Sequence, residues 1–368
     1  MILTVLAWIM IGFAVIRFGI SLINWAGQLY LSQPVTQMAN EKVSILIPAR
    51  NEAHNLPALL SELLKQDYDN LEILVYDDHS EDETGAVVSS FAEKDPRIRL
   101  IHAPDLIRGW TGKNFACHNL AGHANGAYLL FLDADVHVSP DLVSKSLNYV
   151  KRKGVLLLSI FPHQRIHSLG EWLTVPMMNW ILLSLLPLPL VRKSSRPSLA
   201  AANGQFMLFE SESYKKNVWH EQVRESLVED IEIIRLMKKS GYKVSTLLGD
   251  EDVMCRMYSD LNEGINGFAK NVIEFFGGSI LAAFVFIFFT MGSVVIIPLA
   301  LGWKGLALYV LLVLGIRIFI SLASRQKVWK NLLLHIFQLA VFLLMTFKGM
   351  RVVLTGTYQW KGRTIQND

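Results

Sequence analysis

The chain has 368 residues, 52% of them hydrophobic, and its mean hydropathy of +0.33 is too apolar for a purely soluble protein. A net charge of +3 spread over dispersed basic residues argues against nucleic-acid binding and favours attraction to anionic lipid headgroups. The two cysteines, Cys117 and Cys255, lie far apart and make no metal-ligand cluster, which fits reduced thiols in a cytosolic compartment.

Residues 1–31 are apolar over a membrane-spanning length, interrupted by Arg17. With no charged segment ahead of the apolar core and no small-residue cleavage site after it, this reads as an uncleaved anchor. Arg17 either snorkels or faces another helix. From residue 42 to 160, short β-rich runs alternate with helical ones. The runs at 43–48, 71–77, 98–102, 127–133 and 155–160 read as strands, and helical patterns begin near Asn55, Asp82, Lys113 and Pro140. That order predicts right-handed βαβ units and an α/β fold with a mostly parallel sheet. Residues 172–191 are uncharged but hold Pro176, Pro187 and Pro189, which fits a broken interfacial or membrane-embedded segment. Residues 279–301 carry no charge and make the strongest transmembrane prediction. Two weaker spans follow, 305–323 with Arg317 inside it and 332–347 with His335 and Gln338; 332–347 is short enough to be re-entrant.

The acids at the strand ends carry the chemistry. The run "AYLLFLDADV" ends in Asp133 and Asp135, "VYDDHSEDET" delivers Asp77 and Asp78, and "IPARNE" delivers Arg50 and Glu52. A lone acid there is ordinary turn chemistry. Three successive apolar strands that bring polar groups to one carboxyl edge, where open α/β sheets bind ligands, are not. Carboxylates two apart suit one hydrogen-bonding role toward a ribose and one as ligand to a hard divalent cation, Mg²⁺ or Mn²⁺. The chain has no glycine-rich phosphate loop of the P-loop or dinucleotide kind, so a cation must neutralise a diphosphate.

The ordered set "VSILIPARNE", "VYDDHSEDET", "GWTGKNFACHNLAGHANGAYLLFLDADV" and "SLVEDIEIIRLMKKSGYKV" resembles the family 2 glycosyltransferases with the GT-A fold, over residues 42–250. The resemblance implies a Rossmann-like catalytic domain, over 42–260, between an N-terminal anchor (1–31) and a C-terminal transmembrane region (275–350), with a basic cytosolic tail at 351–368. It implies that Pro48, Arg50 and Glu52 border the nucleotide and Asp78 contacts uracil. Lys113 and Asp133 are expected near the donor, Asp135 on the metal, and Asp230 of the Glu229-Asp230 pair as the base that accepts the acceptor's proton. Arg256 and Tyr258 are candidates for the leaving diphosphate, and Asn203 and Gln205 for the acceptor wall. This chain departs from the family at His79, where members often have glycine, and at Arg50, where they have an aromatic. The Q-x-x-R-W signature of processive synthases is missing, which implies a single transfer.

The finer pattern, with "RMY" and a terminal "QWKGRTI", is most similar to the branch that glycosylates carotenoid acids and related terpenoid lipids. A UDP-sugar donor, with glucose the expected sugar, a lipid acceptor and a bilayer are the implied partners. A carboxylic acid is already ionised at neutral pH and hardly needs a base, so the Glu229-Asp230 pair leans toward a hydroxyl acceptor. Transfer to a polyprenyl phosphate or to a glycerolipid or sphingolipid is the enzymatic alternative; a non-catalytic membrane scaffold that keeps the fold is the other. With the catalytic domain in the cytoplasm, 279–301 leaves and 305–323 returns, which places Arg325, Lys327 and Lys330 inside.

Overall fold

The computed structural model describes residues 1–27, 29–31, 40–355, 357–360 and 363–366. The chain forms two compact units, one of Met1–Leu29, Ile166–Pro187 and Met257–Asp368, the other of Tyr30–Arg165 and Leu188–Arg256.

The second unit is built on a seven-stranded sheet. Its strands are β1 (Val43–Ala49), β2 (Leu71–Asp77), β3 (Ile98–His102), β4 (Tyr128–Leu132), β6 (Leu157–Phe161), β8 (Phe206–Glu210) and β9 (Val244–Leu248), in the order β3-β2-β1-β4-β8-β6-β9. Three short strands, β5 (Val136–Val138), β7 (His163–Gln164) and β10 (Val253–Cys255), make a separate sheet in the order β5-β10-β7. The main sheet is parallel except at β8, which runs against both β4 and β6. Ile45, Leu46, Ile73, Leu74, Leu129 and Leu132 are buried, as covering both faces of a parallel sheet requires. The strand order reverses at β1, whose neighbours β2 and β4 diverge, so a crevice opens at their carboxyl ends. Glu72 is a buried acid away from that edge. Burial alone would raise it, but Ser44 Oγ, the Asn125 N–H and Lys42 Nζ donate to it at 2.5, 2.7 and 3.0 Å and hold it below the usual carboxylate range.

The first unit is helical. Among the described residues, three helical stretches are long and apolar enough to cross a membrane, Ile2–Ala26, Ile280–Ala323 and His335–Leu354. The second is not one rod. Gly302 has φ 68° and ψ −170°, and Tyr309 Oη donates to the Thr290 carbonyl at 2.6 Å across a separation of 19 residues. A continuous helix would hold those groups about 28 Å apart, so the chain doubles back at Gly302 into two antiparallel arms. This matches the expected pair of segments at 279–301 and 305–323. Ile297 and Tyr309, one from each arm, share a buried cluster with Ala7, Met10, Ile11 and Ala14 of the first helix.

The helix expected over 332–347 starts at His335 and runs to Thr355, through Lys348 and Arg351. Its neighbours change along its length: Gln338 Nε2 donates to the Trp172 carbonyl at 2.7 Å, and Gly349 packs against Ala269 and Val272. The segment expected at 172–191 is broken at its prolines into helices Leu169–Thr174, Pro176–Leu185 and Pro189–Lys193. Beyond these, Thr357–Trp360 and Arg363–Gln366 pair as an antiparallel hairpin; Lys361 and Gly362 of the expected tail motif lie outside the described residues.

Gly126 precedes β4 where the chain passes against β1. A Cβ there would lie 2.6 Å from the Ser44 nitrogen and 2.8 Å from the Tyr128 carbonyl oxygen. Gly126→Ala is therefore expected to cost about 1–3 kcal/mol through overpacking, read as a lowered Tm of the detergent-purified protein. An unchanged Tm would show that the β1–β4 contact yields freely.

Candidate active site

The register of the sheet decides which side chains meet. Ala49 lies opposite Asp77, so Arg50 and Asp78 leave β1 and β2 together, and the Asp78 N–H donates to the Ala49 carbonyl at 2.8 Å. Asp77 itself shapes the turn by accepting from the Ser80 N–H at 3.0 Å. Arg50 is buried; its Nη1 donates to the Asp78 and His79 carbonyls at 2.7 and 3.1 Å, and its Nη2 lies 3.7 Å from Glu81. It thus holds the shape of the loop that presents Asp78. His79 has φ 52°, in the left-handed region where glycine is at ease, which accounts for glycine being suited to this position. Glu52 is anchored by its N–H to Thr84 Oγ1 at 2.8 Å and accepts from Asn55 Nδ2 at 2.7 Å, while Pro48 stands opposite Tyr76 near the end of β1.

On the other side of β1, Leu46 pairs with Phe131, and continuing that register brings Asp133 level with Pro48. Because β8 is antiparallel, with Phe206 opposite Leu132, its start returns Gly204 and Gln205 to the same rim. Helix Gly112–His123 begins at Thr111, whose side chain accepts from the Asn114 N–H. Asn114 Nδ2 donates to the carbonyls of Val223, Arg224 and Ser226 at 2.8, 3.2 and 3.0 Å, which fastens the loop leading into helix Glu229–Lys239. Lys113 Nζ consequently lies 2.9 Å from Asp133 Oδ1 and 3.2 Å from Glu229 Oε1. Asp230 accepts from the Gly204 N–H at 2.9 Å and the Ile231 N–H at 2.8 Å.

The structure therefore brings Lys113, Asp133, Glu229 and Asp230 into one constellation, with Asp135 beside it. Sequence reading missed Gly204 and Cys255. A Cβ on Gly204 would stand 3.0 Å from Lys113 Nζ and 3.1 Å from Glu229 Oε1, so a larger residue there would crowd the ion pair. Gln205 Nε2 reaches Asp135 Oδ1 at 3.3 Å and Cys255 Sγ at 3.0 Å, and Cys255 Sγ lies 3.6 Å from Asp135 Oδ2. Only the pairing of β10 with β5 brings Cys255 opposite Val136, and no local motif signals it. Arg256 follows Cys255 and ends the second unit; Tyr258 belongs to the first, where it packs edge-on against Phe268 at 5.0 Å. These two are thus not joined in one unit.

The rim is rich in negative charge. Burial, then Asp133 and Glu52, push Asp135 up to about 6. Burial, then Glu229, push Asp230 up to about 7 against the pull of Lys113. Burial alone would lower Lys113, yet Asp133 and Glu229 outweigh it and hold the ammonium well above the usual lysine value. Carboxylate oxygens such as those of Asp135 are of the donor type that a hard divalent cation takes. Among the described residues no three His, Cys, Asp or Glu side chains converge to hold a metal.

Residues 44–217 match the family model described as Glycosyl transferase family 2. That match covers a little under half of the chain. A 4,4'-diaponeurosporenoate glycosyltransferase of Staphylococcus haemolyticus is 25% identical over 235 residues, 63% of this chain and 61% of that protein. The match thus spans less than two thirds of that relative's length. The protein of the same name from Staphylococcus aureus strain MRSA252 is 25% identical over 348 residues, 88% of each chain. Among solved structures, a mannosyltransferase from Pyrobaculum calidifontis in complex with GDP-Man and Mn²⁺ superposes with a TM-score of 0.54 at 17% identity, covering 94% of this chain and 99% of that one. At that identity the likeness establishes the GT-A fold.

If Asp230 is the base of this glycosyltransferase, its raised value fixes the sign of the pH dependence. The acid is protonated and idle below its pKa and ionised above it, so kcat/KM for transfer is expected to rise through about pH 7 and then level off. A flat profile from about pH 5 to 8 would remove Asp230 from that role.

Proposed function

We propose that the protein is an inverting glycosyltransferase that moves one sugar from a UDP-sugar, with glucose the expected sugar, to a membrane lipid such as a carotenoid or other terpenoid. The observation that carries this reading is the Lys113–Asp133–Glu229–Asp230 constellation at the carboxyl edge of β1 and β4, with Asp135 beside it. Asp78 and Arg50 would border the base, and Asp133 the ribose or sugar. Asp135 would hold Mg²⁺ or Mn²⁺, whose remaining ligands would come from the diphosphate and water. Bound there, the cation would offset the charge of the diphosphate and of the departing UDP. The complex of the Pyrobaculum mannosyltransferase with Mn²⁺ supports a divalent ion, and the names of the staphylococcal relatives support a lipid acceptor.

Asp230 would accept the proton of the incoming hydroxyl as the new glycosidic bond forms and the bond to UDP breaks. A carboxyl held near neutrality is well matched to that task. Lys113, paired with Asp133 and Glu229, would fix both acids while the donor enters. The apolar helices of the first unit support a multi-pass location in the cell membrane. Arg325, Lys327 and Lys330 after the returning arm favour a cytoplasmic catalytic unit.

The test is UDP release by detergent-purified protein given Mn²⁺, a panel of UDP-sugars and a total lipid extract. Release that depends on lipid, falls about 10²–10⁴-fold in Asp230→Asn and vanishes in Asp135→Ala is the expected result. An Asp230→Asn variant that works normally would point instead to an acceptor already ionised, a carboxylate or a polyprenyl phosphate. No UDP binding in the presence of Mn²⁺ would leave a non-catalytic scaffold.

A further inference from the structure

Gln205, the residue just before β8, is tied to both Asp133 and Asp135. Its carbonyl accepts from the Asp133 N–H at 3.3 Å, and its own N–H donates to Asn203 Oδ1 at 2.8 Å. Its Nε2 lies 3.3 and 3.5 Å from the two carboxylate oxygens of Asp135 and 3.0 Å from Cys255 Sγ. The backbone is thus fixed, while the side-chain contact with Asp135 is long and shared between two oxygens, which makes it a weak hydrogen bond. The residue is 7% exposed, and its Oε1 is buried with no hydrogen-bond partner among the described residues.

A buried amide oxygen without a donor has lost its water and gained nothing in return, so it calls for a partner that a ligand or ion would bring. Asp135 and Cys255 both lie at the nitrogen end of the amide and do not fill that role. A carbonyl oxygen is a donor of the kind Mg²⁺ and Mn²⁺ take, and Gln205 is neutral, so it can serve a cation without adding negative charge to the rim. The two ends of an amide exchange when it turns over about its last bond. Cys255 tolerates either orientation, because a thiol both donates and accepts weakly. The place now held by Nε2, 3.3 Å from Asp135 Oδ1, is close to the roughly 3 Å that separates neighbouring oxygens around an octahedral cation with bonds of about 2.1 Å.

We propose that Gln205 is a ligand of the cation that Asp135 holds: the amide turns over, and its oxygen takes a coordination place otherwise left to water. The inference rests on the proposed function, in which Asp135 holds Mg²⁺ or Mn²⁺, and it moves Gln205 from the acceptor wall to the metal site.

The experiment titrates Mn²⁺ into the full-length protein in neutral detergent with UDP present and follows the free ion by electron paramagnetic resonance. Gln205→Leu removes the oxygen and is expected to weaken Mn²⁺ binding by about 10–100-fold. Gln205→Glu keeps an oxygen and gives it charge, so it should bind Mn²⁺ at least as tightly as the wild type. A side chain that only braced Asp135 through Nε2 would have the opposite effect in Gln205→Glu, which sets one carboxylate against another. Gln164→Leu is the control. Gln164 is 4% exposed, its Oε1 is likewise without a partner among the described residues, and it stands opposite Cys255 in the three-stranded sheet, but its Nε2 donates to the Pro162 carbonyl at 3.2 Å. Its replacement should leave Mn²⁺ affinity unchanged. Unchanged affinity in Gln205→Leu, weaker binding in Gln205→Glu, or an equal loss in Gln164→Leu would overturn the inference. Should Gln205→Leu not fold, as read from its Tm, Gln205→Glu decides alone. Wild-type protein that binds no Mn²⁺ with UDP would overturn the proposed function and this inference together, whereas wild-type binding that Gln205→Leu leaves unchanged removes the inference alone.

Discussion

The catalytic unit depends on an imbalance of charge at one edge of its sheet. Glu52, Asp133, Asp135, Glu229 and Asp230 crowd that edge, and Lys113 pairs with two of them. Burial first, and then the charge of neighbouring carboxylates, push Asp135 and Asp230 upward. A protein pursuing stability alone would not assemble such a rim. Under the function proposed above, a divalent cation bound with a nucleotide diphosphate would bring positive charge to this rim. Lys113 pairs with Asp133 and Glu229 rather than with Asp135.

The scaffold around the rim explains how loose loops hold a tight geometry. Asn114 ties three carbonyls of the 223–226 loop to the start of its own helix, Arg50 ties down the loop after β2, and the Gly204 N–H holds Asp230. Each fastening is a polar side chain or amide spent on backbone shape. The helical unit obeys a different economy. Of its buried polar groups, Arg17, Arg317 and Gln338 link segments distant in sequence, while Ser21, Ser321 and Thr346 bond back to carbonyls four residues earlier in their own helices, as expected where water cannot satisfy them.

Much of this was legible because buried parallel strands have a strong signature. The runs predicted at 71–77 and 98–102 coincide with β2 and β3, and the other three differ from the observed strands by one or two residues at their ends. The acids at their ends followed from strand position alone. What sequence could not give was pairing between remote pieces. β8 is an ordinary short apolar run whose antiparallel entry between β4 and β6 brings Gly204 and Gln205 to the rim. β5 and β10 have three residues each, too few to show a period, yet their pairing seats Cys255 at Asp135. The hairpin at Gly302 was legible as two apolar segments, whereas the contact of Arg17 and Arg317 with one Trp180 depends on packing that no local pattern encodes.

The central claim is that the acidic rim binds a metal–nucleotide pair through Asp135, and Mn²⁺ binding followed by electron paramagnetic resonance, with and without UDP, tests it most directly. The account predicts that UDP tightens Mn²⁺ binding by at least about tenfold, since it adds phosphate ligands to the ion, and that Asp135→Asn abolishes this synergy while the protein stays folded. Equal Mn²⁺ affinity with and without UDP, or synergy that survives in Asp135→Asn, would contradict it.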